Sequence, residues 1–295
     1  MTTGGDNATS KRTWQSALRS LVGCSPMSPP CRERSGYHPA MGVASHSHRP
    51  GPPAPDELFS VDAYLRDFEA SMLDVDVVQR RVVLDRTAFY PGGGGQPPDM
   101  GSLTWDGGRA TVVRVSREEG RIWHWLETEA ELPRPGSELA GAIDWDRRHL
   151  LMRTHTALHI LCGVVWADFR VAVTGGNMEP GLGRIDFELD AMSADLGRKL
   201  QQRVNDEISR SREILVEFLA RAEADVDPAL IRTKANLIPA SIDPLRVIDI
   251  VGLDRQADGG THVATTAEVG RVEVVKTESK GRANKRVRLA VADLA

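Results

Sequence analysis

The sequence predicts an α+β protein in which a small N-terminal antiparallel β-barrel precedes an α+β domain. Short β-branched runs, separated by glycine and acidic turn signals, follow one another between about residues 75 and 127. Runs of this length and spacing are typical of small antiparallel barrels. An apolar stretch with helical spacing then runs from Asp146 to Phe169. Beyond it, strand-like runs flank one amphipathic helix that begins after Ser193 and runs to about Glu213.

Length and composition agree with two folded domains. The 295 residues are 41% hydrophobic and 26% charged, as in ordinary soluble proteins. No apolar run approaches the ~18 residues that a membrane span needs, so we expect no membrane partner. Three cysteines are too few for a disulfide framework, which favours a reducing, cytoplasmic location. A net charge of -4 argues against binding nucleic acid by bulk charge but leaves room for a local basic patch.

Residues 1–56 differ from the rest of the chain. They are rich in Pro, Ser, Gly and His and hold few large apolar side chains, so we predict a disordered N-terminal extension. An over-long start, with Met41 as an alternative first residue, explains the same composition. The predicted domains are therefore 57–145, the barrel, and 146–295, the α+β domain.

The barrel interval contains one unusual stretch, from Thr87 to Gly101. Four consecutive glycines, Gly92 to Gly95, allow positive φ and a close backbone approach to a ligand. A flexible linker is the alternative, but Phe-Tyr-Pro before the glycines and Gln96 after them favour a ligand loop. It is not a Walker loop, because no Gly-Lys-Ser/Thr follows.

Two sequence features predict a metal site in the second domain. His155 and His159 lie four residues apart in the predicted helix, so both imidazoles share one face, as two ligands of one zinc ion require. A metalloprotease helix has Glu after the first His, but this chain has Thr156, which argues against protease chemistry. The Gly-Gly turn between Asp258 and His262 would bring two further ligands together, although Asp258 could instead only cap that turn.

A basic segment lies between the last two predicted strands, Val269–Val275 and Arg286–Val291. Five cations fall in or beside it: Lys276, Lys280, Arg282, Lys285 and Arg286. The segment is either a solvated hairpin tip or a set of phosphate contacts that position nucleic acid. The sequence alone leaves both interpretations open.

Four motifs together resemble those of AlaX, the freestanding relatives of the alanyl-tRNA synthetase editing domain. They are Thr87-Ala-Phe-Tyr-Pro with Gly-Gly-Gly-Gln96 and Asp99-Met-Gly101, His155-Thr-Ala-Leu-His159, Arg184-Ile-Asp186-Phe, and Asp258-Gly-Gly-Thr-His262. The resemblance covers about residues 57–295, and the domain composition is similar to that of the medium-length AlaX class. It implies a barrel followed by a zinc-binding editing domain of the threonyl/alanyl-tRNA synthetase type.

The resemblance also implies residue roles. His155, His159 and His262 look like zinc ligands, while related synthetase domains have Cys where this chain has Asp258. The hydroxyl of Thr87 would recognise a serine hydroxyl, and Thr87 and Gln96 would be the catalytic pair. Gly93, Gly94, Gly95, Arg184 and Asp186 would complete the substrate pocket, and the basic hairpin would contact tRNA.

The implied activity is trans-editing: hydrolysis of the ester of mischarged tRNA(Ala), chiefly Ser-tRNA(Ala) and also Gly-tRNA(Ala), at a site holding one Zn²⁺. The expected partner is the tRNA(Ala) acceptor end, and the chain would be a monomer or a homodimer. Two alternatives stay open: a zinc-dependent hydrolase of another small ester or amide, and a catalytically silent tRNA-binding module.

Overall fold

A computed structural model describes residues 56–234, 238–281 and 284–293. Apart from Asp56, the predicted N-terminal extension lies outside the described residues. Met41, Cys24 and Cys31 lie there as well.

The first sheet is a closed barrel of antiparallel strands, as predicted. Its strands are β1 Asp67–Asp76, β2 Arg81–Leu84, β3 Gly101–Trp105, β4 Gly108–Glu118, β5 Arg121–Glu127 and β6 Glu138–Ile143, in the order β1-β2-β5-β4-β3-β6. In β5, alternate residues face the barrel core, and this strand buries Ile122, His124 and Leu126. A 3₁₀ turn at Leu58–Ser60 precedes β1.

The long helix α1, Trp145–Phe169, follows β6 directly. Asp144 caps it by accepting a hydrogen bond from the Arg147 amide at 3.2 Å. By length and composition α1 meets the criteria for a membrane span, contrary to the expectation that no segment does. Because 83% of its apolar window is buried inside the fold, α1 is the core helix of the second domain.

The remaining elements form two antiparallel sheets and two further helices. They are β7 Val173–Glu179, β8 Leu182–Phe187, α2 Ala194–Ser209, β9 Ile214–Leu219, α3 Arg221–Ala224, β10 Leu245–Ile250, β11 Asp254–Ala257, β12 Val272–Ser279 and β13 Lys285–Val291. One sheet has the order β11-β10-β9 and the other β12-β13-β8-β7. Apolar side chains of α1 pack with both sheets and α2 in one core, which confirms the predicted α+β class.

Two predicted boundaries were wrong. The helix predicted to run to about Glu213 ends at Ser209, because Ser211 adopts φ +50 and breaks the helical path. The last hairpin pairs further than predicted, from Val272–Val291 to Ser279–Lys285. Polar residues on a solvent-facing strand lack the apolar alternation that marks a strand, so the extra pairs were not predicted.

Candidate metal centre

Four side chains from two separate parts of the chain converge on one point. α1 contributes His155 and His159, and the loop after β11 contributes Asp258 and His262; their ligand atoms all lie within 4.8 Å of one another. The Asp258 carboxylate is 3.1 Å from His262 Nε2, 3.7 Å from His155 Nε2 and 3.9 Å from His159 Nε2. The predicted metal ligands therefore face one another through their Nε2 atoms.

Asp258 both caps its turn and faces the histidines. Its Oδ2 accepts a hydrogen bond from the Gly260 amide at 2.7 Å, as in the turn-capping interpretation. Its Oδ1 is the atom nearest to His155 and His159. The two interpretations that the sequence left open thus describe two oxygens of the same carboxylate.

The glycine segment is a tight turn held against this cluster. All of Gly92 to Gly95 have positive φ, and the backbones of Gly93 and Gln96 exchange two hydrogen bonds of 3.0 and 2.9 Å. Positive φ at both central residues requires glycine in such a turn. Gly95 accepts a hydrogen bond from the Met178 amide of β7, and a Cβ on Gly94 would lie only 3.9 Å from Asp258 Oδ1. The absence of side chains here leaves the turn backbone next to the cluster.

Gln96 connects this turn to the cluster. Its Oε1 accepts a hydrogen bond from the Thr261 amide at 3.0 Å, and its Nε2 donates to Thr261 Oγ1 at 2.9 Å. Since a backbone amide can only donate, the oxygen of Gln96 must face it. The same oxygen is 3.0 Å from His155 Nδ1, so Nδ1 carries the proton and His155 Nε2 presents a lone pair to the cluster.

The other two histidines also have a partner at Nδ1. Asp254 Oδ2 is 3.2 Å from His159 Nδ1, and Thr156 Oγ1 is 3.1 Å from His262 Nδ1. Such outer partners fix the orientation of histidine rings that bind metals. All three rings are therefore held with Nε2 towards the common centre.

Arg246 holds the loop that carries Asp258 and His262. Its guanidinium donates to the carbonyl oxygens of Asp258 and Gly260 at 2.9 and 2.8 Å, and to Ser60 at 2.8 Å. The last contact ties the loop to the 3₁₀ turn that precedes the barrel. Backbone carbonyls are thereby anchored by a buried cation.

Burial and mutual charge set the protonation of the cluster. Burial lowers the pKa of His155 to about 4, and it also lowers the pKa of His262 well below its ordinary value. Burial opposes ionisation of Asp258, but the surrounding histidines outweigh it and hold the Asp258 pKa well below its ordinary value. For His159, the hydrogen bond to Asp254 and the charge of Asp258 outweigh burial, and the pKa is raised. At neutral pH the site therefore combines a carboxylate with at least two neutral imidazoles.

These residues fit a zinc ion. Three imidazole nitrogens and one carboxylate oxygen form a donor set that zinc accepts, and tetrahedral Zn²⁺ with ligands at ~2.0–2.2 Å places them about 3.3–3.5 Å apart. The separations of 3.1, 3.7 and 3.9 Å around Asp258 bracket that value. Small side-chain adjustments would complete the coordination.

Thr87 lies in the barrel with its hydroxyl already bonded. Its Oγ1 accepts from the Phe89 amide at 3.1 Å and lies 2.9 Å from Nε2 of the buried His124. Among the described residues, these are the partners of the Thr87 side chain, and neither belongs to the metal cluster. The serine-recognition role of Thr87 stays a prediction.

The other predicted substrate and tRNA residues form a separate group of ion pairs. Arg184 and Asp186 lie on β8, and Asp186 forms two hydrogen bonds of 2.7 and 2.8 Å with Arg286 on β13. Nothing in residues 56–234, 238–281 or 284–293 bonds Arg184 or Asp186 to the cluster. Their substrate role also stays a prediction.

The cations predicted at the hairpin tip are distributed differently. Lys276 and Lys285 lie within strands, so their predicted placement between the strands was wrong, whereas Arg286 lies in the last strand as predicted. Lys285 is buried and donates to the Gly281 carbonyl, whereas Lys276 and Lys280 lie 3.1 and 3.6 Å from Glu278. Arg282 lies outside the described residues.

Sequence reasoning missed the partners of the ligands. Asp254 precedes Asp258 by four residues but contacts a histidine 95 positions away, so no local spacing indicates the pair. Thr156 and Thr261 sit inside the two histidine motifs, and that adjacency is the signal that could have found them. Arg246 lies in a strand-like run, where it looks like an exposed strand residue.

Models of known protein families match segments in both halves of the chain. A family model for class II (A) tRNA synthetases matches residues 60–147, and the model for the threonyl and alanyl tRNA synthetase second additional domain matches residues 245–288. The chain thus belongs to the class of proteins with a synthetase-type editing domain, in which a barrel with a glycine turn precedes a histidine-rich domain.

Within that class, the chain belongs to the alanyl-tRNA editing protein AlaX-M family. The AlaX-M protein of Saccharolobus solfataricus is 38% identical over 234 residues, which are 79% of this chain and 97% of that protein. The AlaX-M protein of Methanosarcina barkeri is 33% identical over 242 residues, 81% of this chain and 99% of that protein. The alanine–tRNA ligase of Pyrobaculum calidifontis is 36% identical over 233 residues, but only 25% of that longer protein is covered.

Proposed function

We propose that the protein is a trans-editing hydrolase that deacylates mischarged tRNA(Ala), chiefly Ser-tRNA(Ala) and also Gly-tRNA(Ala). The contact between Gln96 and His155 carries the proposal, because it joins the glycine turn of the barrel to the His–Asp cluster. Two motifs from opposite halves of the chain thereby form one site. The names of the AlaX-M relatives, alanyl-tRNA editing proteins, support tRNA(Ala) as the substrate class.

His155, His159, His262 and Asp258 would hold one zinc ion. Because four protein ligands leave tetrahedral zinc no free position, the bound ion would supply a fixed positive charge that orients the substrate. An aminoacyl ester is already activated, so most of the catalytic work is positioning of water and carbonyl. The side-chain-free turn at Gly93–Gly95 leaves space and backbone polar groups for the aminoacyl end beside Asp258.

We place serine recognition at Thr87, whose hydroxyl would hydrogen-bond the hydroxyl of a seryl substrate and so favour it over a substrate without one. Replacing Thr87 by Val should reduce clearance of Ser-tRNA(Ala) more than clearance of Gly-tRNA(Ala). Because the same hydroxyl bonds His124, Thr87→Val should also lower the free energy of unfolding by about 1–3 kcal/mol. Steady-state deacylation of both substrates and urea unfolding measure these effects, with Thr87→Ser as the control that keeps the hydroxyl. Equal losses for both substrates would remove the recognition role.

The tRNA backbone would meet the β12–β13 hairpin. Lys276 and Lys280 keep 56% and 40% of their side chains exposed, and both are near one shared acid, Glu278. Phosphates could therefore replace Glu278 as their partner, with Arg282 as a further cation of the same hairpin. Arg286 would act mainly by holding the hairpin on β8, and Lys285 by holding the hairpin turn at Gly281.

Deacylation of Ser-, Gly- and Ala-tRNA(Ala), with and without a zinc chelator, tests the function. An editing enzyme should release serine and glycine, spare alanine, and lose activity with the chelator. Chelator-sensitive hydrolysis of small esters without tRNA deacylation would instead indicate a different hydrolase. A gel shift of tRNA(Ala) with the ester left intact would indicate a silent binding module.

A further inference from the structure

A buried acidic residue outside the predicted ligand set contacts one of the histidines from behind. Asp254, the first residue of β11, is 2% exposed, and its Oδ2 lies 3.2 Å from His159 Nδ1. The opposite ring nitrogen of His159 faces Asp258. The His159 ring thus lies between two carboxylates, one within the cluster and one behind it.

We propose that Asp254 is a positioning residue of the metal centre: it fixes the ring and the tautomer of His159 so that Nε2 is available to the ion. The inference rests on the zinc site of the proposed function. A carboxylate can only accept a hydrogen bond, so the contact of 3.2 Å places the imidazole proton on Nδ1 and leaves the Nε2 lone pair free. A carboxylate behind a ligating histidine also raises its basicity and thereby its affinity for metal.

The surroundings of Asp254 fix its side chain in place. Arg232 Nη1 lies 3.0 Å from Asp254 Oδ1, and the two side chains are 9% and 0% exposed. The contact is an ion pair whose geometry is not that of a hydrogen bond. Gln256 Nε2 donates to Asp254 Oδ2 at 2.6 Å. The Arg232 guanidinium in turn lies over the Trp166 ring at 4.7 Å. The Asp254 carboxylate, with two partners besides His159, is therefore held in one orientation.

The helix that carries His159 is adapted to this contact. Gly163, one turn after His159, has no side chain, and a Cβ there would lie 3.0 Å from the Asp254 Cβ and 2.9 Å from Leu253 Cγ. This glycine lets α1 approach β11 closely enough for the hydrogen bond. The missing side chain at Gly163 therefore allows the close packing of α1 on β11 that brings His159 next to Asp254.

Zinc affinity of the full-length protein tests the inference. We would measure Kd by competition with a chromophoric chelator, and record the visible spectrum of the Co²⁺ form, for the wild type and for Asp254→Ala. We expect Asp254→Ala to bind zinc about 10–100-fold more weakly and to change the Co²⁺ spectrum. Asp249→Asn is the matched control, because Asp249 lies on the same hairpin and faces Arg255 instead of a histidine, so its affinity should equal that of the wild type.

Asp254→Asn covers the case in which the alanine variant does not fold. It keeps the size and an acceptor but removes the charge, so we expect about a threefold or greater loss of zinc affinity. Folded variants that bind zinc and Co²⁺ as the wild type does would overturn the role of Asp254 while leaving the zinc site in place. A wild type that binds no zinc would overturn the metal centre itself.

Discussion

At the scale of single residues, the geometry of the cluster depends on the ring nitrogens of three histidines. Each Nδ1 faces an oxygen supplied by the protein, from Gln96, Asp254 or Thr156. A histidine held in this way cannot rotate its Nε2 out of the cluster without losing a buried hydrogen bond. The donor set is therefore preorganised before any ion arrives, which lowers the ordering cost of binding.

A fourth buried histidine gives a pH prediction. Burial lowers the pKa of His124 in the barrel to about 4, so the fold favours its neutral form. The corresponding stability is complete above pH 6.5, the unfolded value, and is lost as the pH falls towards 4. The loss reaches about 3 kcal/mol.

Urea unfolding of metal-free wild type and His124→Gln at pH 7 and pH 5 measures this contribution. We expect the wild type to lose more unfolding free energy than His124→Gln between the two pH values. An equal loss in both proteins would show that His124 does not titrate as its burial predicts.

At the scale of elements, the loop from Asp258 to His262 depends on close packing at one glycine. A Cβ on Gly260 would lie 2.3 Å from His155 Cε1 and 2.7 Å from Gln96 Oε1, whereas a Cβ on Gly259 would meet no heavy atom within 4 Å. The two adjacent glycines thus serve different needs, and only one of them is required by the metal site.

Substitution of these two glycines separates the roles. We expect Gly260→Ala to displace His155 and Gln96 and to weaken zinc binding at least about tenfold, by analogy with loss of other outer contacts. Gly259→Ala should leave zinc affinity within error of the wild type. Chelator competition on both purified variants gives the comparison, and equal affinities would mean that the loop adapts freely around His155.

Strand and helix content was predicted where burial imposes a period, and mispredicted where it does not. β5 alternates buried and exposed residues, and α1 was predicted to within one residue at its start. The β12–β13 hairpin was drawn too short because Lys276 and Lys285 look like loop residues. Pairing of backbones, rather than side-chain pattern, extends that hairpin.

At the scale of the whole molecule, one buried arginine joins the barrel to the core helix. Arg148 of α1 is fully buried, donates to both carboxylate oxygens of Asp99, and also donates to the carbonyl oxygens of Ala63 and Ala88. Asp99 in turn accepts from the Tyr90 amide at 2.6 Å, at the start of the glycine segment. The position of the glycine turn relative to α1, and so of Gln96 relative to His155, therefore depends on this pair.

Removing the arginine should destabilise the protein strongly. Arg148→Met would leave Asp99 buried without its cation, which costs about 3–5 kcal/mol of unfolding free energy. Arg147→Met is the neighbouring control, since Arg147 is half-buried and, among the described residues, its guanidinium donates to the Pro98 carbonyl, so it should cost about 1 kcal/mol or less. Urea unfolding at pH 7 measures both, and similar losses would contradict the joining role of Arg148.

The convergence of the four residues of the His–Asp cluster could be predicted from the sequence, since histidine spacing on a helix and a Gly-Gly turn are local signals. The partners behind them, Asp254 and Arg246, could not be predicted, because they reach the site only through sheet packing. Thr87 illustrates the converse: its motif was recognised, but its hydrogen bonds to His124 and to the backbone depend on the barrel interior. Long-range packing is the information that local spacing lacks.

We propose that the glycine turn and the His–Asp cluster form one editing site, and Gln96 is the residue at which they meet. The most direct measurement is the single-turnover rate of Ser-tRNA(Ala) deacylation by Gln96→Ala, with bound zinc measured in parallel and the exposed Gln79→Ala as control. We predict that Gln96→Ala slows deacylation by about tenfold or more, while Gln79→Ala matches the wild type. Deacylation by Gln96→Ala at the wild-type rate, with zinc content unchanged, would contradict the proposal that the two parts form one editing site at Gln96.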